Sequence, residues 1–384
     1  MPLGIYIQVP FCQTKCTYCN FRTGVVSSDR YKPYADAVCD EISKTHEFRG
    51  EVADTVYVGG GTPSLLEHSL LKKMLDVLRE SYCINKPEIT LEADPETVDA
   101  AKAAAWRNAG FNRISMGVQS FHDGELQSAG RMHRRAHIFT AVQALRDHEL
   151  ENISMDLIAG LPHQTRESWE ASVDELLAIR PEHASIYLLE VDEGSRLGRE
   201  SLAGGARYGA PAIPSDDSQA EFYESACDRL AAAGYEHYEI SNWALPGRQS
   251  RHNLKYWRRE PYLGFGAGAH SFDGSARWAN THDPSLYVDL TATAMSTREQ
   301  IERVTPEQAL DEELFLGLRL LEGIDLTDLA RRSSGEFSRR EERLWSTIGR
   351  LEAEGLVEIA GPRVRLAPGR LAVSNEVFVE LLAG

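Results

Sequence analysis

From residue 4 to about residue 190, short apolar runs alternate with longer stretches whose apolar positions recur at helical spacing. The first run, residues 4–9, reads as a strand ending at Pro10. Residues 31–46 place Tyr34, Ala37, Val38 and Ile42 on one helical face. Further strands are predicted over 55–58, 88–93, 113–118, 152–158 and 184–190. Helices are predicted over 70–82, 98–109 (closed by Gly110), around 137–147 and over 167–179. Repeated βα units predict an α/β core with a parallel sheet and helices packed outside it. The pattern fits either a doubly wound sheet or an open (β/α)6 barrel.

Beyond residue 190 the pattern loosens. Gly204, Gly205, Gly209, Pro211 and Pro214 read as a mobile loop, and 217–233 as an amphipathic helix stopped by Gly234. The stretches 235–243 and 250–257 are rich in aromatic residues, and a glycine-rich apolar turn follows at 264–270. That turn is only loosely like a phosphate loop, and no clear helix follows it, so a nucleotide site is not expected. Residues 291–299 read as a linker. Helices over about 306–321, 326–332 and 340–354, then a hairpin of 356–359 and 364–366, read as a small winged-helix-like α+β domain. The expected organisation is a core over 1–190, an extension over 191–290 and a C-terminal domain over 300–384.

Charge changes how that last domain is read. The net charge of -17 disfavours binding to a phosphate backbone, so no nucleic acid partner is expected and the winged helix is read as a packing or lid module. No apolar run is long enough for a membrane helix, which leaves at most transient membrane contact. The start, Met1-Pro2-Leu3-Gly4, lacks the features of a secretion signal. Cys39, Cys83 and Cys227 are scattered singly among apolar neighbours and read as buried reduced thiols, which fits a cytoplasmic location.

The other three cysteines carry the candidate chemistry. Cys12, Cys16 and Cys19 are spaced C-x3-C-x2-C directly after the first strand. Three thiolates are one short of a closed four-cysteine site. On a four-iron cluster they leave one iron open; the alternatives are a zinc knuckle completed by a distant His, or three unrelated thiols. Candidate ligand groups recur at the carboxyl ends of the next strands: Gly59-Gly60-Gly61-Thr62-Pro63, Glu92, Gln119 and Asp156. A lone polar residue at such a place is usually a turn former or a cap, and Glu92 beside Asp94 has that reading too. Five positions on one rim with a cysteine cluster are better explained by a ligand lying across the sheet.

Together these residues resemble the HemN/HemW family of radical S-adenosylmethionine (SAM) proteins, the oxygen-independent coproporphyrinogen III oxidase group. The resemblance rests on Tyr6, the cysteine motif, Gly59–Pro63 as a GGGTP run, Gly117-Val118-Gln119-Ser120-Phe121, and Asp156-Leu157-Ile158-Ala159-Gly160-Leu161-Pro162. It implies a partial (β/α)6 radical SAM barrel, with Cys12, Cys16 and Cys19 holding a [4Fe–4S] cluster. It implies that Tyr6, Gly60, Gly61, Thr62 and Glu92 line a SAM site. Tyr18, Gln119, Arg131 and Asp156 match positions that line the SAM region of the oxidase branch, including its second SAM. The absent arm before Cys12, and Phe21 where the oxidases carry a further cysteine, resemble the heme chaperone branch. Asn20 in place of an Asp and Gln8 in place of a His depart from that branch without touching the iron ligands. The branch also carries His-Asn-x-x-Tyr-Trp, here His252 to Trp257, and associates it with heme. This implies His252 as an axial ligand with Tyr256 and Trp257 packed on the porphyrin; the alternative is a structural histidine in an aromatic core. The function implied is to hold heme and deliver it to apo-proteins such as respiratory cytochromes. The rivals are oxidative decarboxylation of coproporphyrinogen III and a HemN-like methyl transfer.

Overall fold

The computed structural model describes residues 2–333 and 335–382. Its main sheet contains β1 (Leu3–Val9), β2 (Val52–Gly60), β3 (Cys83–Ala93), β4 (Arg113–Gln119), β5 (Asn152–Ala159) and β6 (His183–Leu188). It also contains β7 (Glu236–Glu239), β8 (Asn242–Ala244), β9 (Tyr262–Phe265), β10 (His270–Phe272), β11 (Ala276–Asn280) and β12 (Arg298–Arg303). The strand order is β12-β11-β10-β9-β1-β2-β3-β4-β5-β6-β8-β7. β1 to β6 are successive parallel neighbours, which is the expected partial (β/α)6 barrel. β9 adds a parallel strand beside β1, while β8 joins β6 antiparallel.

Strands of a fully covered parallel sheet usually read as continuous apolar runs. These alternate instead. Ile5, Ile7, Val56, Val58, Ile89, Leu91, Ile114, Met116, Ile153, Met155 and Ile186 are buried in the core. The helices Tyr31–Lys44, His68–Ser81, Ala100–Ala109, Arg135–Asp147 and Arg166–Ile179 contribute to that same core. The intervening residues face the barrel interior and are polar: Tyr6, Gln8, Tyr57, Glu92, Arg113, Ser115, Ser154, Asp156, His183 and Ser185. Period-two alternation thus puts apolar side chains under the helices and leaves a polar bore.

Caps fix the helix starts around this bore. The Asp99 side chain accepts from Lys102 N–H at 2.8 Å, and Thr165 forms a capping box with Ser168. Gly110, at φ 105°, ends its helix in the left-handed conformation that a side chain disfavours.

Several expectations change in detail: of the three single cysteines only Cys39 is buried, while Cys227 is half-buried and Cys83, at the start of β3, is exposed. Residues 207–212, within the expected mobile loop, form a short 3-10 turn. The stretch 291–299 is no free linker: it holds the end of the helix Pro284–Ala292 and the start of β12, the edge of the main sheet. The glycine turn joins β9 to β10, an antiparallel pair. The C-terminal part has helices Pro306–Arg319, Leu326–Arg332 and Glu336–Ala353, and adds Ser374–Leu382, which hydropathy did not separate from its surroundings. Its hairpin, β14 (Val357–Ala360) and β15 (Arg363–Leu366), pairs with β13 (Ile324–Asp325) in the order β13-β15-β14. No helix among the described residues is long and apolar enough to cross a membrane.

Candidate functional site

The cysteine loop is clamped at the rim from both sides. Thr62 N–H donates to Phe11 O at 2.6 Å and Gly61 N–H to Val9 O at 2.8 Å. Thr17 N–H donates to Ala129 O at 3.0 Å, and Leu197 N–H to Thr17 O at 2.7 Å. A Cβ on Gly61 would stand 2.4 Å from Phe11 O and 3.0 Å from Cys12 Sγ, so only glycine lets β2 approach the thiols this closely.

Cys12, Cys16 and Cys19 line one cavity with Tyr18, Gly60, Gly61, Thr62, Glu92, Gln119, Arg131 and Asp156. Among the described residues no three Cys, His, Asp or Glu side chains converge as a single metal ion requires. Burial is the largest influence on the Cys12 and Cys19 thiols and pushes both up. The Arg131 guanidinium donates to Cys16 Sγ at 3.5 Å and to Gly117 O at 2.7 Å, and is ion-paired with Asp94. Thr62 Oγ1 donates to the other oxygen of Asp94 at 3.1 Å, so one carboxylate ties the glycine turn to Arg131.

Glu92 lies opposite the cluster loop. Its carboxyl takes the Tyr57 hydroxyl at 2.8 Å and Gly60 N–H at 2.9 Å. Burial still raises it to about 7, with Asp156 and Asp94 adding to the rise. Asp156 is pushed up to about 6, again chiefly by burial. Two carboxyls that burial raises suit a ligand that brings positive charge, as the ammonium and sulfonium of SAM do. The glycines permit close backbone approach, so the donor set and the shape both fit a cluster with SAM.

Tyr6 and His252 lie outside that cavity. The Tyr6 hydroxyl donates to Gln8 Oε1 at 2.7 Å, and its ring lines a second cavity of about 650 Å³. This lateral cavity lies between the cysteine loop, at Asn20, Phe21 and Arg22, and the glycine turn, at Ala267 to His270. Tyr256, Tyr262 and His282 complete its wall. His252 is 1 % exposed on the short helix Arg251–Trp257. Its Nδ1 is 2.9 Å from Thr55 Oγ1 and its Nε2 is 2.9 Å from the Tyr256 hydroxyl. Burial holds the ring neutral, down to about 3. In this structure both ring nitrogens of His252 are engaged, and the residue is not among those lining the cavities described above and below. Trp257 turns away as well, packing beside Tyr238, Leu254 and Leu320 under the Arg319 guanidinium.

The sequence reading missed the deeper bore. Arg113, Ser154, Asp156, His183 and Ser185 line a third cavity of about 410 Å³ that reaches up to Cys19 and Phe21. The His183 ring is held by Ser154 Oγ and Tyr238 OH, each at 2.8 Å. The available signal was the alternation of polar residues within strands expected to be apolar throughout.

Comparison with known proteins matches the Radical SAM superfamily over residues 6–176 and the HemN C-terminal domain over residues 304–369. The chain is 35% identical over 380 residues to the heme chaperone HemW of Bacillus subtilis, covering 97% of each chain. It is 34% identical over 390 residues to the heme chaperone HemW of Mycobacterium tuberculosis, covering 100% of this chain and 95% of the relative. Among solved structures it is similar to the coproporphyrinogen III oxidase HemN of Escherichia coli, with a TM-score of 0.85 at 22% identity, covering 100% of this chain and 90% of that one.

Proposed function

The chain belongs to the HemW heme chaperone family of the radical SAM superfamily, and we propose that it holds heme and delivers it to apo-proteins, respiratory cytochromes among them. Cys12, Cys16 and Cys19 are the residues that hold a [4Fe–4S] cluster. When bound, the cluster would supply one iron without a protein ligand, where the methionine end of SAM would be held. Gly60, Gly61 and Thr62 give the methionine end backbone contact, and Glu92 receives positive charge. Tyr18, Gln119, Arg131 and Asp156 line the same cavity and complete the SAM region.

The observation that supports a heme seat is the lateral cavity. Its volume of about 650 Å³ is within the range of small-ligand sites, and Tyr6, Tyr256 and Tyr262 offer ring faces. His270, at its mouth, is exposed, and among the described residues its ring makes no hydrogen bond. Partial desolvation of the ring and the neighbouring His282 lower His270 from its ordinary value, which favours the neutral imidazole that can ligate iron. The two rings lie 6.4 Å apart. A bare metal ion would need a third donor here, whereas a porphyrin iron brings its own equatorial nitrogens and needs only an axial one. His270 is that axial ligand in this reading, with His282 beside it. An exposed ligand also suits a chaperone, which has to release its cargo.

The test is a heme titration of the wild type, His270→Ala, His282→Ala and His252→Ala. The expected result is a shifted or bleached Soret band in His270→Ala and an unchanged band in His252→Ala. The reverse pattern would return the ligand to His252 and require the Arg251–Trp257 helix to open.

A further inference from the structure

The bore of the barrel contains a buried cation that, among the described residues, has no ion-pair partner. Arg113 opens β4, is 2 % exposed, and its Nε has no hydrogen-bond partner. Among the described residues no carboxylate forms an ion pair with its guanidinium. In register it stands between Thr90 on β3 and Asn152 on β5. Each of these neighbours also carries a buried side-chain oxygen without a partner, Thr90 Oγ1 and Asn152 Oδ1. Three adjacent strands thus leave polar atoms unsatisfied at one level of the barrel. Removing a charge from water without a counter-charge is strongly unfavourable, so an unpaired buried arginine needs an explanation. Scarcity of carboxylates is not one, since the chain has 58 acidic residues.

Arg113 lines the cavity of about 410 Å³ that runs from Cys19 and Phe21 at the rim to His183 at the floor. Other cations of the molecule show what satisfaction looks like: Arg131 at the rim has Asp94, and the buried Lys255 has both Asp54 and Glu260. Arg113 has no such contact: Asp156 faces the same cavity, and the guanidinium's charge offsets part of the rise that burial gives it, but the two stand beyond ion-pair distance.

We propose that Arg113 is the seat of a ligand carboxylate inside the barrel, taken in the two-pronged fashion that a guanidinium gives a planar anion. Two acids could supply that group: a propionate of the heme cargo, or the methionine carboxylate of a second SAM. The choice of these two probes rests on the function proposed above. The requirement for a carboxylate rests on the unpaired cation alone.

The experiment compares the wild type, Arg113→Gln and Arg113→Lys after anaerobic cluster reconstitution. Each is titrated with heme, with heme dimethyl ester and with SAM, recording affinity and stoichiometry. The expected result is a loss of about tenfold or more for one of the acids in Arg113→Gln, with partial retention in Arg113→Lys. The neutral ester is expected to bind both proteins alike. A loss confined to heme identifies the propionate; a loss confined to SAM identifies the methionine carboxylate. Unchanged binding of both acids, or equal weakening of acid and ester, overturns the proposal. If the wild type binds neither heme form, the chaperone reading fails while the SAM arm still decides the role of Arg113. A further readout guards against misfolding. The thermal midpoint of Arg113→Met without ligands is expected at or above that of the wild type, because an unpaired charge has been removed. A steep fall in that midpoint marks Arg113 as a structural residue and overturns the assignment.

Discussion

The backbone N–H of Gly60 donates to Glu92 Oε2 at 2.9 Å across adjacent strands. The bond fixes the carboxyl beside the glycine turn, yet burial still raises it to about 7 from an ordinary value of 4.5. A carboxyl raised in the folded state favours the protonated fold, so its penalty is absent below the unfolded value. It grows between pH 4.5 and about 7 and is complete above that. Glu92→Gln removes it. The ligand-free variant should be more stable than the wild type at pH 8, by an amount on the order of 1–3 kcal/mol. The gap should close towards pH 5. Thermal scans at the two pH values check this, and an equal gap at both would show that the ionisation of Glu92 costs the fold nothing.

Replacing Cys12, Cys16 or Cys19 with Ala should abolish the brown chromophore after anaerobic reconstitution. Cys39→Ala should retain it, because Cys39 is buried in the hydrophobic core. Iron and sulfide determination decides the matter. Full retention in Cys16→Ala would remove that thiol from the ligand set.

A methyl group on Gly61 has no room, since Phe11 O would lie 2.4 Å away. Gly61→Ala should therefore move the cysteine loop, at a stability cost of about 1–3 kcal/mol, and lower cluster occupancy. Gly24→Ala, where nothing stands within 4 Å of the new carbon, is the matched control. Denaturant melts and iron content of both variants test the difference.

His252 ties β2 to the Arg251–Trp257 helix, which Glu88 also holds by accepting the His252 N–H at 3.2 Å. His252→Ala leaves the Thr55 and Tyr256 hydroxyls without their buried partner. It should lose roughly 2–4 kcal/mol of stability while cluster content stays intact. An unchanged unfolding midpoint would contradict the structural role.

Repeated βα units were enough to place six parallel strands and the rim on which the cysteines, Gly60, Glu92 and Gln119 stand. The local signals of strand, helix and glycine turn agree there with the global fold. His252 was harder to place because its motif has no period. Whether a His in an aromatic run faces a cavity or a neighbouring hydroxyl depends on Thr55, 197 residues away in sequence. Arg113 escaped notice because a charged residue at the start of a strand usually reads as a solvated edge. Only the pairing of β3, β4 and β5 puts it inside. The start of the edge strand β12 reads as linker in the sequence because its residues, Arg298 to Arg303, are mostly charged and exposed, as edge strands often are.

The most direct measurement of the proposed function sets cargo binding against catalysis on one sample. Anaerobically reconstituted protein is titrated with heme, then mixed with an apo-cytochrome while the Soret band is followed. A second aliquot receives coproporphyrinogen III, SAM and a reductant. The expected result is saturable heme binding, transfer of the heme to the apo-cytochrome, and no decarboxylated porphyrinogen. Steady formation of the decarboxylated product, with no saturable heme binding, would contradict the assignment and make the chain an oxidase.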